Sequence, residues 1–201
     1  MPVAELPYYG FAYGEFLGLD RILVATTGYT GERTFEIFFR QQHSQQIWDA
    51  LFEAGEPMGL EPTGLGARDT LRLEMGYMLY GNDIDDTTSP LEAGLGWITK
   101  LKKGDFNGRE AILKLKEQGL TKKLVGFKMT GRGIPRQGYD IAKDGEVIGR
   151  VTSGSISPLL GEGIGMGYVP VHLATPGSQI DILVRNKSIP AEVVKTPFIE
   201  K

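Results

Sequence analysis

The 201 residues contain no cysteine, which excludes disulfides, thiolate metal sites and a cysteine nucleophile and is compatible with a reducing compartment. Histidine is almost as scarce. His43 and His172 stand far apart and in no metal-ligand spacing, which argues against a histidine-based metal centre and against a Ser-His-Asp triad. No stretch approaches the roughly 20 apolar residues of a membrane-spanning helix. The N-terminal segment has no positive n-region and is interrupted by Pro2 and Glu5, so it does not read as a signal peptide. Positive charge is not in excess. With a net charge of −3, neither nucleic acid nor an anionic membrane is expected as the main partner.

What is present suits a globular chain. At 41% hydrophobic residues there is enough apolar material for a sizeable core, in one large domain or two small ones. The 28 glycines are scattered rather than periodic, which suits many tight turns between short strands.

Residues 7–40 read as three strands: an aromatic run (Tyr8, Tyr9, Phe11, Tyr13, Phe16), then 21–27, then 34–40. A helix is expected from His43 to Ala54, with Ser44 as N-cap, an inward stripe of Ile47, Trp48, Leu51 and Phe52, and Gly55 as its stop. A second helix is expected over 63–76. There Arg68 and Arg72 share a face, and Asp69 and Glu74 make a surface ion-pair network the plain reading. The acidic loop 77–86 lacks the spacing and terminal Glu of an EF-hand. A strand is expected around Gly94–Ile98, and a third helix from Gly108 to Gln118 with Ala111, Ile112 and Leu115 inward and Gly119 ending it.

A boundary falls near 119–121. Beyond it come short strands at 124–129, a hairpin whose arms 139–142 and 147–151 flank the turn pair Asp144–Gly145, further strands at 165–169 and 179–185, a turn at Asn186–Lys187 and a last strand at 189–195. This spacing suggests a small barrel or sandwich. The fold class is therefore α+β: a mixed αβ portion over 1–119, then a small antiparallel β unit over 120–201.

The glycine-rich run Gly161–Gly167 has neither the strand–turn–helix context of a dinucleotide fingerprint nor the Lys-Ser/Thr pair of a P-loop, and reads as turn and strand glycines. Ser153–Ser157 does not have nucleophile-elbow spacing. More informative is Thr27-Gly28-Tyr29-Thr30-Gly31-Glu32-Arg33-Thr34-Phe35-Glu36-Ile37, a turn between two apolar runs with an acid set inside the second. Glu36 alternates against Phe35 and Ile37, so it either faces solvent or meets donors in a pocket. Together Tyr29, Glu36, Arg68 and Tyr77 suit a flat heterocycle with anionic appendages: a stacking face, a carboxylate for two parallel N–H groups, and a forked cation. A pterin with a glutamate tail has these features, and so do other heterocycles.

Several stretches, in order along nearly the whole chain, resemble the T-protein (aminomethyltransferase) family of the glycine cleavage system. They are Thr27–Glu32 with Phe35-Glu36, Gly64–Glu74, Tyr80–Asp85, Val151–Gly154, Met166–Val169 and Lys195–Phe198. The resemblance implies transfer of a one-carbon unit from the aminomethyl-lipoyl arm of the H-protein to tetrahydrofolate, with release of ammonia. It implies that 1–119 is part of a folate-binding domain and 120–201 a C-terminal β-barrel. It places Glu36 and Tyr29 in the pterin pocket, Arg68 at a folate or substrate contact and Tyr77 as a pocket aromatic. It implies no metal, the lipoylated H-protein and folate as partners, and a cytoplasmic setting, or the mitochondrial matrix in a eukaryote. The catalytic group is unassigned. The match covers only the family's C-terminal half, so this chain alone is expected to lack the catalytic acid and to turn over weakly or not at all. Alternatives are the folate-binding module of a sarcosine- or dimethylglycine-type demethylase, or a folate-binding fragment without chemistry. One departure stands out: the family usually has Gly-Glu-Asp-Gly-Phe-Glu where this chain has Gly31-Glu32-Arg33-Thr34-Phe35-Glu36. A threonine in a glycine's left-handed position would be strained.

Overall fold

The computed structural model describes residues 3–185 and 187–200. The chain divides into two compact units, one ending at Leu71 and the other starting at Arg72.

The first unit is built on a three-stranded antiparallel sheet in the order β1 (Phe11–Phe16), β2 (Leu19–Ala25), β3 (Glu36–Phe38). Leu17 and Gly18, both with positive φ, make the two-residue turn between β1 and β2, a backbone that matches the twist of paired strands. Tyr8 and Tyr9 lie in the turn before β1 rather than in the strand. One sheet face carries Ile22, Val24 and Ile37, which pack with Ile47 of helix α1 (Ser44–Gly55).

Helix α1 departs from expectation in three ways. Ser44 is its first residue, not its cap, because a 3₁₀ turn over Gln41–His43 feeds straight into it. Its α-helical span ends at Gly55 as expected, but Gly55 is right-handed, and a 3₁₀ turn over Glu56–Met58 carries the chain on to Gly59, whose left-handed φ of 88° ends the run. Of the expected stripe only Ile47 is buried; Trp48 is 54% exposed and stacks on Phe52 at 4.6 Å. Helix α2 (Leu65–Glu74) follows, and the division between the units falls within it.

In the second unit, helix α3 (Arg109–Gln118) is bracketed by Gly108 and Gly119, both with positive φ. Ala111 is exposed, while Ile112 and Leu115 are half-buried. The expected strand at 94–98 is a run of tight turns instead. Gly94 is left-handed, Leu95 N–H bonds Pro90 O, and Ile98 N–H bonds Leu95 O, so these groups are used within turns rather than in a ladder. Six strands then close into an antiparallel barrel: β4 (Lys122–Met129), β5 (Asp140–Lys143), β6 (Glu146–Ile156), β7 (Gly163–Pro170), β8 (Gln179–Val184) and β9 (Lys187–Val194), ordered β4-β7-β6-β5-β8-β9. Asp144 (φ 52°) and Gly145 (φ 86°) make the expected hairpin turn between β5 and β6. Of the expected Asn186–Lys187 turn, Asn186 lies outside the described residues and Lys187 opens β9.

The barrel is filled by Phe127, Ile141, Val151, Val169, Ile182 and Val193. Gly165 and Gly167 of β7 make this packing possible. A Cβ on Gly165 would run into the Phe127 ring, and one on Gly167 would lie 2.6 Å from the Arg150 carbonyl oxygen.

Against the wall formed by β6 and β7 lies a buried polar network. Arg72, 1% exposed, donates from Nη1 to Asp83 Oδ2 at 2.8 Å and to the Tyr77 carbonyl at 3.1 Å, and from Nη2 to Ser153 Oγ at 2.8 Å. Asp83 Oδ2 also accepts from Ser153 Oγ and Leu79 N–H, each at 2.8 Å, while Thr152 donates to Oδ1. Glu74 is equally buried and accepts from the Ser157 hydroxyl and, at 3.1 Å, from Leu159 N–H. The surface network expected of these residues is thus overturned for Arg72 and Glu74. Arg72 meets the loop that directly follows α2 and Ser153 of β6, 81 residues away, and Glu74 meets Ser157 and Leu159 just past β6. Asp85 serves the same loop differently: the Thr87 hydroxyl, followed by Thr87 N–H, holds its carboxyl below the usual range.

Two predictions follow from the barrel wall. Asp83→Asn leaves the Arg72 charge buried without its counter-ion and should cost about 3–5 kcal/mol of unfolding free energy; a loss below about 1 kcal/mol in urea titrations would rank the pair with exposed ones. The second concerns Tyr168, whose hydroxyl donates to the Asp83 carbonyl at 2.9 Å. Burial first, then the Glu92 and Asp83 carboxylates, push its phenol from 10.0 up to about 12. The unfolded chain releases this proton near pH 10 and the folded one holds it to about 12. Stability should therefore be intact below pH 10 and fall between pH 10 and 12. Urea midpoints of Tyr168→Phe should decline less over that window than those of the parent.

Candidate functional site

The turn between β2 and β3 is held from both ends. At its start, Thr26 is buried, and its Oγ1 accepts Gly10 N–H at 3.0 Å and donates to the Pro7 carbonyl. Within the turn, Thr34 Oγ1 donates to the Thr27 carbonyl at 2.9 Å, and Thr27 Oγ1 donates to Glu36 Oε2. Arg33 Nη2 donates to the Ala4 carbonyl at 2.9 Å, with its guanidinium 6.0 Å from the Phe35 ring centre. The left-handed residue of this turn is Gly31 (φ 74°), and Thr34 has no positive φ. The strain expected from a threonine at that position is therefore not present. Gly28 makes the room: a Cβ there would collide with Thr34 Oγ1.

Strand register sets what lies around Glu36. Ala25 pairs with Glu36 and with Phe11, and Leu23 pairs with Phe38 and with Tyr13. Paired residues share a face, so Glu36, Phe11, Tyr13 and Phe38 stand on the side opposite Ile22, Val24 and Ile37. Phe11 and Tyr13 are each 65% exposed, meet edge to face at 6.4 Å, and leave an open aromatic surface beside the carboxylate.

Of the four residues singled out in the sequence, two are in contact: the Arg68 guanidinium lies 5.0 Å above the Tyr29 ring centre. Glu36 is exposed, with its carboxylate held by Thr27. Tyr77 belongs to the second unit, where it is half-buried just past α2. Its N–H bonds the Arg72 carbonyl at 2.9 Å, and its carbonyl receives Arg72 Nη1. Sequence reasoning missed Thr27 and Thr34 as supports of the carboxylate, and Phe11, Tyr13 and Phe38 as its face-mates. The alternation Phe11, Tyr13, Glu15 carried a signal for the face; the hydroxyl bonds had none. Chemically the arrangement offers a fixed acceptor beside aromatic surface and a cation over a ring. Among the described residues no group of three His, Asp or Glu is placed to hold a metal ion, and no helix is long and apolar enough to cross a membrane.

Residues 1–103 match the GCVT N-terminal domain family, and residues 122–200 the glycine cleavage T-protein C-terminal barrel domain family. An aminomethyltransferase of Halothermothrix orenii is 58% identical over 195 residues, covering 97% of this chain and 54% of the relative. One from Porphyromonas gingivalis is 54% identical over 197 residues, covering 96% and 54%. Among solved structures, the glycine cleavage system aminomethyltransferase T of Bartonella henselae superposes with a TM-score of 0.88 at 33% identity, covering 99% of this chain and 54% of that one. The chain spans about half the length of the curated relatives it matches.

The Tyr29–Arg68 contact can be tested through stability. In a double-mutant cycle of Tyr29→Leu and Arg68→Met, urea unfolding should give a coupling of about 0.5–1 kcal/mol, as for a solvent-exposed cation over a half-buried ring. Strictly additive losses would mean the contact holds nothing.

Proposed function

The chain belongs to the glycine cleavage T-protein family, and on that premise we propose that it forms the pterin-reading wall of an aminomethyltransferase. The reaction takes the aminomethyl group carried on the lipoyl arm of the H-protein, passes its one-carbon unit to tetrahydrofolate and releases ammonia. The observation that carries the reading is Glu36: a carboxylate fixed by a neighbouring hydroxyl on an open aromatic face. A pterin edge presents parallel N–H donors, and a carboxylate accepts two of them. Tyr29 contributes a ring and Arg68 a cation suited to a folate carboxylate; the role of Tyr77 as a pocket aromatic rests on the family resemblance alone. We assign 1–119 to the folate-binding part and 120–201 to the barrel domain, in a cytoplasmic enzyme working with lipoylated H-protein.

These residues act by holding and orienting the acceptor, since transfer between two bound groups is governed largely by their alignment. They neither supply nor remove the reacting carbon.

Calorimetric titration with tetrahydrofolate tests the reading. Glu36→Ala should weaken binding by more than about 1.4 kcal/mol, or tenfold; an unchanged affinity would reject the role. Binding that emerges only after the chain is extended with the N-terminal residues of its full-length relatives would make this wall half of a site.

A further inference from the structure

An exposed glutamate at the start of a strand has three side-chain torsions and no packing to restrain them, so it reads a ligand weakly unless something holds it. Here the hold is a two-step chain. Thr27 donates to Glu36 Oε2, and Thr34 donates to the Thr27 carbonyl at 2.9 Å. Both donors are β-branched, so the backbone largely dictates where each hydroxyl points. The backbone at Thr27 is pinned on one side by the buried Thr26 hydroxyl on Pro7 and Gly10, and on the other by Thr34. The Thr34 hydroxyl occupies the space over Gly28 that a Cβ would need. Residue 34 thus fills a volume that residue 28 must leave empty.

We infer that Thr27 and Thr34 are positioning residues for the Glu36 carboxylate, Thr27 directly and Thr34 through Thr27, with Gly28 permitting the arrangement. This rests on the pterin-reading role of Glu36 proposed above. The threonine at 34 does more than replace a glycine: its hydroxyl ties the turn that carries the acceptor. Thr27→Ser and Thr34→Ser keep the bonds, whereas Thr27→Val and Thr34→Val remove them at nearly constant volume.

Two measurements test the inference. The first, on the ligand-free protein, is ¹³C relaxation of the Glu36 methylenes. They should be ordered in the parent and in Thr27→Ser, and mobile in Thr27→Val and Thr34→Val. Gly28→Ala should free them too, and in a Thr34→Gly background, where both the hydroxyl tie and the collision are already gone, it should add no further mobility. The second is tetrahydrofolate affinity, expected to fall about tenfold in Thr27→Val, the effect of one lost charge-assisted hydrogen bond. Thr27→Val combined with Glu36→Gln should bind no more weakly than Glu36→Gln alone. Equal Glu36 order in the parent and Thr27→Val, or losses that multiply in the double variant, would overturn the inference. A Glu36→Gln variant that binds as tightly as the parent would instead remove the folate role of Glu36, leaving the relaxation data to decide whether the threonines hold it.

Discussion

The second unit depends on one buried charge pair. Arg72 and Asp83 sit 2.8 Å apart with side chains 1% and 0% exposed. Removing two such charges from water costs several kcal/mol each, and attraction alone does not repay it. The remaining valences have to be used, and they are. Asp83 also takes Leu79 N–H and the Thr152 and Ser153 hydroxyls, and Arg72 also reaches the Tyr77 carbonyl and Ser153. Against an apolar alternative such a network adds little net stability. What it fixes is which loop meets which strand: the end of α2, the 77–83 loop and the middle of β6 meet in one register. Glu74, two residues further along α2, is also buried and, among the described residues, is satisfied without a counter-ion, by the Ser157 hydroxyl and Leu159 N–H.

The candidate site is organised by a lighter device of the same kind. Hydroxyl groups, not charges, tie the β2–β3 turn, and they end on a carboxylate that stands exposed beside aromatic rings. In both places a polar side chain is held by neighbours close to it in space. The difference is burial: the first network specifies the fold, whereas the second leaves its last member accessible to a ligand.

What could be read beforehand follows the range of the interactions. The β5–β6 hairpin rests on Asp144–Gly145, a local turn preference, and appeared in the sequence. So did the barrel strands, whose short apolar runs are bounded by turn residues, and the three helices in outline. The fates of Arg72 and Glu74 were not legible, because Ser153 and Ser157 lie 81 and 83 residues away and nothing local marks a helix-end charge as buried. Trp48 shows the converse. Its spacing fits an inward stripe, yet three strands give α1 room to bury Ile47 and not its neighbour. The 94–98 segment is apolar enough for a strand, but Gly94 turns the chain too tightly to extend it. For the site, Glu36 could be singled out because an acid inside an apolar run is anomalous. Thr27 and Thr34 are ordinary turn residues until their hydroxyl bonds are seen.

Closure of the barrel has a consequence for self-association. A sheet wrapped on itself has every ladder satisfied and offers no template to another chain. The free ladder edges of the sheets described here are therefore β1 and β3. With only three residues, β3 presents little to pair with. β1 is twice as long and carries Phe11 and Tyr13 on its open side, with an irregularity near Gly14–Phe16 interrupting its pairing with β2. If molecules of this chain stick together, β1 is where the first intermolecular strand would add, and that irregularity is the gatekeeper that limits it.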